Sequence, residues 1–450
     1  MPTNILKAKP MKRVIILFCL FFPFLTNAQN TMYFMNRLPQ NISLNPAFVP
    51  EAKFFLTLPG MGGISANAYN SGFNYNELDE FINNLENDSY NPDEFVNSIG
   101  DYNRFFAEAQ ANLFSLGFKL KEKGYFSVGL TANSTANLRA ASEIAYLLAD
   151  LDDLNDDDFP LQVDDIDLLT TNYLTLGFTY SRIINERLTL GISPHINFNQ
   201  AGVKTSQLGY RVELEEDEFD TNYNQFLLGK ITLGMPVEIN PEAIDGNELN
   251  TDEDLFPENW EDDITMGDLL RNKSLSVDLG ATYQWEKWTF SASILNIGST
   301  SWKNNSYQLS GSNESVLIRE EDKISIGLPT KFYLGAVRQF SPKWNYGLVF
   351  NHIRYISAPV STATVSLNGY VGKMLSTSVS YTAGYKFDNL GIGFRLRFLP
   401  GMDLYLVTDN IIQAFSYKNA YRFSAAAGIN FTFGFRENAS EPILPLEEEN

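Results

Sequence analysis

The chain has 450 residues, of which 44% are hydrophobic and 14% aromatic, and its formal net charge is −21. This aromatic content argues against intrinsic disorder, and the acidic balance argues against nucleic-acid binding, because phosphate contacts need clustered Lys and Arg. A single Cys excludes an intramolecular disulfide and a Cys-based zinc site, and no cofactor is predicted.

The first 28 residues predict an export signal. Lys12 and Arg13 precede an apolar run from Val14 to Leu25, and Thr26-Asn27-Ala28 closes the run with small residues at the two positions that a signal peptidase inspects. This order is typical of a secretory signal peptide. The run is too short to cross a bilayer as a helix, which needs about 20 apolar residues. The mature chain is therefore expected to begin near Gln29.

Three segments do not show the pattern of strands. Residues 29–60 lack the regular alternation of apolar and polar residues that the rest of the chain shows. If the rest forms a β-barrel, this segment is expected to plug or line its lumen. Residues 77–110 carry apolar side chains at loosely helical spacing, which predicts a small helical insertion on the outer side. The tail 436–450 contains two Pro and ends in an acidic run, so it is expected to hang free in the periplasm.

Between residues 61 and 435 the dominant pattern has a period of two. In the segments 375–387 and 421–435, apolar residues alternate with small polar ones, so each strand has one apolar and one polar face. Many strands are about ten residues long, which suits a tilted membrane strand better than a secreted sandwich. We predict an all-β fold, a transmembrane antiparallel β-barrel of about 14–16 strands in the outer membrane, in contact with lipid and lipopolysaccharide.

The connections between strands give the predicted barrel an orientation, because outer-membrane barrels have short periplasmic turns and longer outer loops. Counting back from a periplasmic end at Phe435 makes Glu213–Thr221 periplasmic, which is the weakest assignment. The other predicted periplasmic turns are Leu399–Gly401, Gly372–Lys373, Ser341–Lys343, Glu286–Lys287, Ile184–Glu186 and Lys121–Gly124.

Short motifs along the chain carry a family resemblance. They include Leu44-Asn45-Pro46-Ala47-Phe48, Leu176-Gly177-Phe178-Thr179-Tyr180-Ser181 and Tyr405-Leu406-Val407-Thr408-Asp409-Asn410. On these the sequence resembles an uncharacterised family of Bacteroidota outer-membrane β-barrel proteins, a domain of unknown function. The layout is similar to that of fatty-acid-transporter barrels, and the Asn-Pro-Ala start is similar to barrels associated with type IX secretion and gliding. The resemblance implies a fold and a location, and it brings no functional residues.

Basic residues on the polar face form the first candidate site. By alternation, four of them point into the lumen: Lys386, Arg395, Arg397 and Arg422. One interpretation is a constriction that attracts anions, because charged rings in a lumen tune selectivity. The other is internal ion pairing with lumen carboxylates such as Asp278 or Asp403, which would fill and close the barrel.

Two weaker signals concern His195 and the acidic loops. His195 lies on the polar face of its strand, where we favour a lumen hydrogen bond, because a hydrolase would also need a Ser and an orienting carboxylate or amide. Asp156, Asp157 and Asp158 offer the oxygen ligands that calcium prefers, but their spacing is not that of an EF-hand. A solvated outer surface is the simpler interpretation, so no metal site is predicted.

These observations favour a non-enzymatic channel or ligand-transport barrel. The alternative is a scaffold or accessory barrel of a surface-secretion or gliding machinery, similar to type IX systems, whose outer loops bind a protein partner. An open lumen would favour transport, whereas a plugged lumen beside an exposed apolar patch would favour the scaffold.

The export signal can be tested at its cleavage site. Substituting Ala28→Tyr places a bulky residue where the peptidase requires a small one, so we expect a precursor that retains residues 1–28. Asn27→Tyr changes an uninspected position and should be processed normally. Intact mass spectrometry of the wild type should place the N-terminus at Gln29; a precursor-sized wild type would contradict the assignment.

Overall fold

The structure is a computed structural model. It describes residues 29–72, 74, 76–77, 80, 83, 96–97, 100–121, 123–148, 159–217, 220–250, 255–257, 264–312, 315–354, 359–372, 374–384, 389–416 and 420–435. The signal peptide, most of the predicted helical insertion, Asp156 to Asp158, Lys386 and the tail 436–450 lie outside these residues, so those assignments stay predictions.

The described residues form strands through most of their length. The strands, in chain order from β1 to β21, are Ala52–Thr57, Ile64–Asn70, Tyr102–Leu120, Gly124–Ala141, Leu161–Ile183, Leu188–Asp217, Asp220–Gly234, Ile244–Asp245, Glu248–Leu249, Lys273–Trp285, Trp288–Trp302, Ser306–Gly311, Val316–Glu320, Ile324–Gly327, Thr330–Ser341, Trp344–Arg354, Val360–Val371, Leu375–Ala383, Asn389–Leu399, Met402–Thr408 and Arg422–Phe435.

Helical structure in the described residues consists of short pieces, and residues 76–77, 80, 83 and 96–97 are also helical. The α-helices α1, α2 and α3 are Gln29–Met32, Met266–Leu269 and Ile411–Phe415, and the 3₁₀ helices are Pro39–Ser43, Ser142–Leu148 and Pro241–Ala243. Among the described residues, no helix has both the length and the apolar character that a membrane span requires.

Fourteen antiparallel strand positions close into a barrel, which confirms the predicted fold class and the lower end of the predicted strand number. β1 and β2 share one position, because both pair with β21 on one side and with β3 on the other. The ring continues through β4, β5 and β6, then β10, β11, and β15 to β21. β7 and β12 to β14 extend the wall above the ring, where β7 pairs with the far half of β6.

The two faces of the wall differ as the alternation predicts. In β18, Ser378 and Ser380 are 1% and 2% exposed, whereas Val379 and Tyr381 are each 45% exposed. Apolar side chains therefore cover the outside and small polar ones line the inside. A closed ring also pairs the backbone groups of every strand, which is the condition for crossing a lipid bilayer with strands.

Six predicted short turns are present at one end of the barrel, here called the turn end, between β3 and β4, β5 and β6, β10 and β11, β15 and β16, β17 and β18, and β19 and β20. The periplasmic assignment of Glu213–Thr221 is wrong. β6 has 30 residues and continues far beyond the ring, so its hairpin with β7 lies at the opposite end, the loop end. The assignment failed because β7 was counted as a strand of the ring, whereas it pairs with the extension only.

Two predicted boundaries are also wrong. β3 begins at Tyr102, so residues 102–110 belong to the wall rather than to the helical insertion. Pairing of β3 with β2 and β4 outweighs the local spacing of apolar residues, as tertiary contacts commonly do. Ala52–Thr57 likewise forms β1 of the wall, so only residues 29–51 of the predicted lumen segment precede the barrel.

The orientation predicts which parts of the chain an external protease can reach. If the turn end faces the periplasm, protease added to intact cells should cleave Asp150–Asp167 and spare the tail 436–450, which follows β21 at the turn end. Permeabilised cells should lose the tail as well. Loss of the tail from intact cells, with the acidic loop spared, would invert the orientation.

Candidate functional site

The residues from Gln29 to Phe48, here called the lumen segment, lie inside the barrel. They bond to strands around much of the ring: Thr31 to Ser380 of β18, Tyr33 to Ser291 of β11, Gln40 to Asn430 of β21, Asn45 to the carbonyls of Ala281 in β10 and Ala292 in β11, and Pro46 to Ser181 of β5. A segment outside the wall could contact only two or three neighbouring strands. Contacts this widely distributed therefore place the segment within the lumen.

The Asn-Pro-Ala motif fits the wall because the facing residues are glycines. A Cβ at Gly191 would lie 2.1 Å from the backbone carbon of Pro46, and a Cβ at Gly280 would lie 2.1 Å from Asn45 Oδ1. Asn45 Oδ1 accepts from the N–H of Ala47, and Ser181 donates to the carbonyl of Pro46 at 2.6 Å. The motif is thus a seat for the lumen segment.

An apolar cluster holds the other side of the segment. Tyr33 stacks on Tyr333 with ring centroids 5.4 Å apart, and Phe34 and Leu38 are each 1% exposed. Because aromatic and aliphatic burial of this kind stabilises by about 1.5–3 kcal/mol per side chain, this cluster anchors the segment against the strands near β15, β16 and β20.

The start of the segment is held by Asp409, which follows β20. Its carboxylate accepts from the N–H of Thr31 at 2.8 Å, the hydroxyl of Thr31 at 2.6 Å and the N–H of Asn30 at 3.1 Å. Burial raises the pKa of Asp409, and the nearby Arg422 guanidinium opposes that rise. Asp409 and Asn410 belong to a motif that carried the family resemblance, and the structure gives Asp409 a contact with the lumen segment.

A cavity of about 190 Å³ remains between the lumen segment and the wall formed by β3 to β6 and β10. Amide and hydroxyl side chains are frequent on its wall side, and the segment contributes both apolar residues, such as Met32 and Leu44, and polar ones, such as Gln40. A concave site with a few converging polar groups is the usual form of a ligand site. We therefore take this cavity as the candidate functional site.

His195, which the sequence predicted as a lumen residue, lines this cavity. Its Nε2 lies 2.9 Å from Asp278 Oδ2, and Asp278 Oδ1 accepts from the N–H of Asn296 at 2.6 Å. The orienting carboxylate that a hydrolase requires is present. A nucleophile is not found among the described residues, because Ser193 bonds to Thr179 and no hydroxyl bonds to His195. The arrangement is a paired His and not a catalytic triad.

A second pair crosses the lumen. Lys331 of β15 and Glu108 of β3 stand nearly opposite each other in the ring, and Nζ lies 2.6 Å from Glu108 Oε1. Lys331 also donates to Gln29 Oε1 at 3.4 Å, so the start of the lumen segment joins this bridge. Both residues border the cavity. Neither residue was predicted from the sequence, because Glu108 lies in the predicted helical insertion and alternation does not show which charges meet across a lumen.

The predicted basic residues lie elsewhere. Arg395 Nη2 lies 2.7 Å from Asp403 Oδ2, and Arg397 Nε lies 3.0 Å from Asp403 Oδ1. Arg395 is 1% exposed, so this group is an internal ion pair of the kind expected as the alternative to a selectivity constriction. Arg422 lies at the loop end of β21, far from the other two along the strand. None of these three lines the cavity.

The ion pair at Asp403 predicts a large stability effect. Asp403→Asn leaves two guanidinium groups without their carboxylate in a buried site, so we expect the free energy of unfolding to fall by about 3–5 kcal/mol. Urea unfolding in detergent micelles, followed by tryptophan fluorescence, measures it. Asp167→Asn, which removes a half-exposed partner of Arg139, is the control and should cause no measurable change. Equal effects of the two substitutions would contradict the account.

Comparisons with solved structures find other barrels. The toluene transporter TbuX of Ralstonia pickettii is 8% identical, with 89% of this chain and 94% of that chain covered and a TM-score of 0.43. A FadL homologue of Pseudomonas aeruginosa is 10% identical, with 91% and 98% covered and a TM-score of 0.43. The toluene transporter TodX of P. putida is 10% identical, with 87% and 93% covered and a TM-score of 0.40.

Comparison with protein families gives a more direct assignment. No curated protein matches the chain. The sequence matches the family of unknown function DUF5723 over residues 46–319 and 313–409, which together span most of the chain and include the Pro46-Ala47 seat and Asp409. The chain therefore belongs to the family DUF5723.

Proposed function

We propose that the protein is a non-enzymatic outer-membrane barrel that binds a small solute and passes it through the lumen, with the lumen segment as a movable closure. The observation that carries this proposal is the cavity between the lumen segment and the wall. The cavity borders both the lumen segment and the bridge of Lys331 and Glu108. Movement of the segment would therefore open the cavity along the barrel axis.

The outside of the barrel supports the proposed membrane location. Leu334, Leu348 and Val365 are 59%, 51% and 53% exposed on the outer face. Exposing these apolar side chains to water is unfavourable, and contact with lipid removes that free-energy cost. At the turn end, Trp285 and Trp344 are 51% and 43% exposed, where a membrane interface favours amphipathic rings. An apolar band with an aromatic border is the outer surface expected of a membrane barrel.

The way the lumen segment is held supports its movement. In the described residues its backbone–backbone hydrogen bonds are internal, and its bonds to the wall all use a side chain on at least one partner. Each such bond contributes about 0.5–1.5 kcal/mol net. Displacing the segment would therefore leave every strand pair of the ring intact, whereas opening the wall would break a backbone ladder.

The scaffold alternative does not require the lumen segment to move. A scaffold would act through its outer loops, so its lumen segment could remain fixed. Transport requires the segment to move at some stage of the cycle. Fixing the segment covalently to the wall therefore separates the two functions.

A disulfide lock provides that test. Thr31 Oγ1 and Ser380 Oγ are 2.7 Å apart, so cysteines at both positions can form a bond between segment and wall. In the mature chain these would be the only cysteines, because Cys19 lies in the predicted signal. We expect the oxidised Thr31→Cys/Ser380→Cys protein to lose most of its solute flux in liposome-swelling assays and to regain it on reduction.

The matched control places the same bond within the wall. Thr364 and Thr382 have hydroxyls 2.8 Å apart on β17 and β18. The oxidised Thr364→Cys/Thr382→Cys protein should keep the flux of the reduced form. Undiminished flux through the oxidised segment lock would refute the movable closure, and absence of flux through the wild-type barrel would refute transport.

A further inference from the structure

The wall of the cavity carries a continuous ladder of neutral hydrogen-bonding side chains across five neighbouring strands. In order around the ring, its members are Gln110 of β3, Asn133 of β4, Thr175 of β5, Asn197 of β6 and Ser276 of β10. The four successive donor–acceptor distances are 3.1, 3.0, 2.9 and 2.9 Å. We call these five residues the neutral ladder.

In every bond of the neutral ladder, the donor lies on the strand nearer β3 and the acceptor on the strand nearer β10. Gln110 Nε2 donates to Asn133 Oδ1, and at the far end Asn197 Nδ2 donates to Ser276 Oγ. Such chains polarise one another, which strengthens each member as donor or acceptor. Gln110 Oε1 at one end and the Ser276 hydroxyl hydrogen at the other have no partner among the described residues. The ladder therefore offers an acceptor at one end and a donor at the other.

The charged groups of the cavity are already paired. Glu108 is bound to Lys331 at 2.6 Å, and Asp278 to His195 at 2.9 Å. A free cation would have to displace Lys331 or His195, and an anion would meet two carboxylates while Arg395 and Arg397 stay bound to Asp403. The charge pattern of the cavity thus favours a neutral ligand.

The same wall disfavours a hydrocarbon. An alkyl chain against the ladder would cover the carbonyl oxygen of Gln110 without replacing its hydrogen bond to water, which costs about 1–3 kcal/mol for such a group. On the opposite side, Met32, Pro39 and Leu44 form an apolar surface beside polar side chains of the same segment. A ligand that suits both sides has an apolar face and a polar edge.

We propose that the cavity binds a neutral polyhydroxylated ring of monosaccharide size. The hydroxyls of such a ring lie at its edge and can bond to the neutral ladder, while its C–H face packs on the lumen segment. The volume of about 190 Å³ lies below the range of about 300–1,000 Å³ that drug-sized ligands occupy, so the cavity suits a single ring better than a larger ligand. This inference rests on the proposed function, because it names the solute class of that site.

The ladder can be broken without changing its volume. Thr175→Val replaces a hydroxyl by a methyl group and removes both the bond from Asn133 and the bond to Asn197. Isothermal titration of the full mature protein in detergent with glucose, galactose and N-acetylglucosamine measures the effect. We expect at least one sugar to bind saturably to the wild type and to lose at least about tenfold in affinity in Thr175→Val. Decanoate and inorganic phosphate should not bind.

Two further variants separate a ladder effect from a folding effect. Thr175→Ser keeps the hydroxyl and should retain the wild-type affinity. Thr364→Val removes a hydroxyl bond from the far wall, outside the cavity, and should also bind sugar as the wild type does. If Thr175→Val fails to show heat-modifiable migration, Ser276→Ala at the end of the ladder takes its place, with the same loss expected.

The outcomes distinguish this inference from the function on which it rests. Sugar binding without sugar flux would retain the ligand class and refute transport. If solutes pass through the barrel but each sugar binds the wild type and Thr175→Val with equal affinity, transport is retained and the ligand class is overturned. Saturable binding of decanoate or phosphate in place of every sugar, or no binding of any sugar, would overturn it as well.

Discussion

Closure of the backbone hydrogen-bond ring is the constraint on which the other features of this protein depend. β1 and β2 occupy one position between β21 and β3, so the first and last strands of the chain complete the ring. In lipid an unpaired strand edge would cost several kcal/mol for each unsatisfied group. Closure then defines an inside and an outside, and it makes the inner polar face available to a segment of the same chain.

The inner face of the barrel accommodates the lumen segment. Glycines at positions such as Gly191 and Gly280 admit the backbone of the Asn-Pro-Ala motif, and small hydroxyl residues bond to the segment at several heights. The segment fills part of the lumen and leaves the cavity between itself and the wall formed by β3 to β6 and β10. The proposed binding and closure therefore share the same parts, because the proposed solute site is bordered by the segment whose displacement would open it.

The period-two alternation predicted the fold well, since it follows directly from which side chains face out of the barrel and which face in. It predicted the closed antiparallel barrel, six turns of the turn end and the inward placement of Arg395, Arg397 and His195. It failed where strand length or distant contacts determine the structure. β6 runs past the ring to Asp217, and residues 102–110 pair as a strand. Alternation assigns a residue to a face, and it does not show which residues of that face meet.

The candidate site shows the same limit. Charged residues drew attention in the sequence, yet Arg395, Arg397 and Asp403 bond to one another and Glu108 meets Lys331 across the lumen. The residues proposed to bind solute are neutral and common in any polar face. Their only signal in the sequence was the recurrence of amides at inward positions, such as Asn197 beside His195, and the ladder they form depends on the registers of five strands.

Thiol accessibility of Thr175→Cys gives the most direct test of the central claim that the cavity lies on the path of a solute. A small membrane-impermeant thiol reagent would be applied separately to each side of the membrane, with Thr364→Cys on the far wall as the reference. We expect Thr175→Cys to be labelled from both sides. We also expect labelling from either side to stop when the lumen segment is locked to β18. Labelling from one side only, or labelling that the lock does not change, would contradict the central claim.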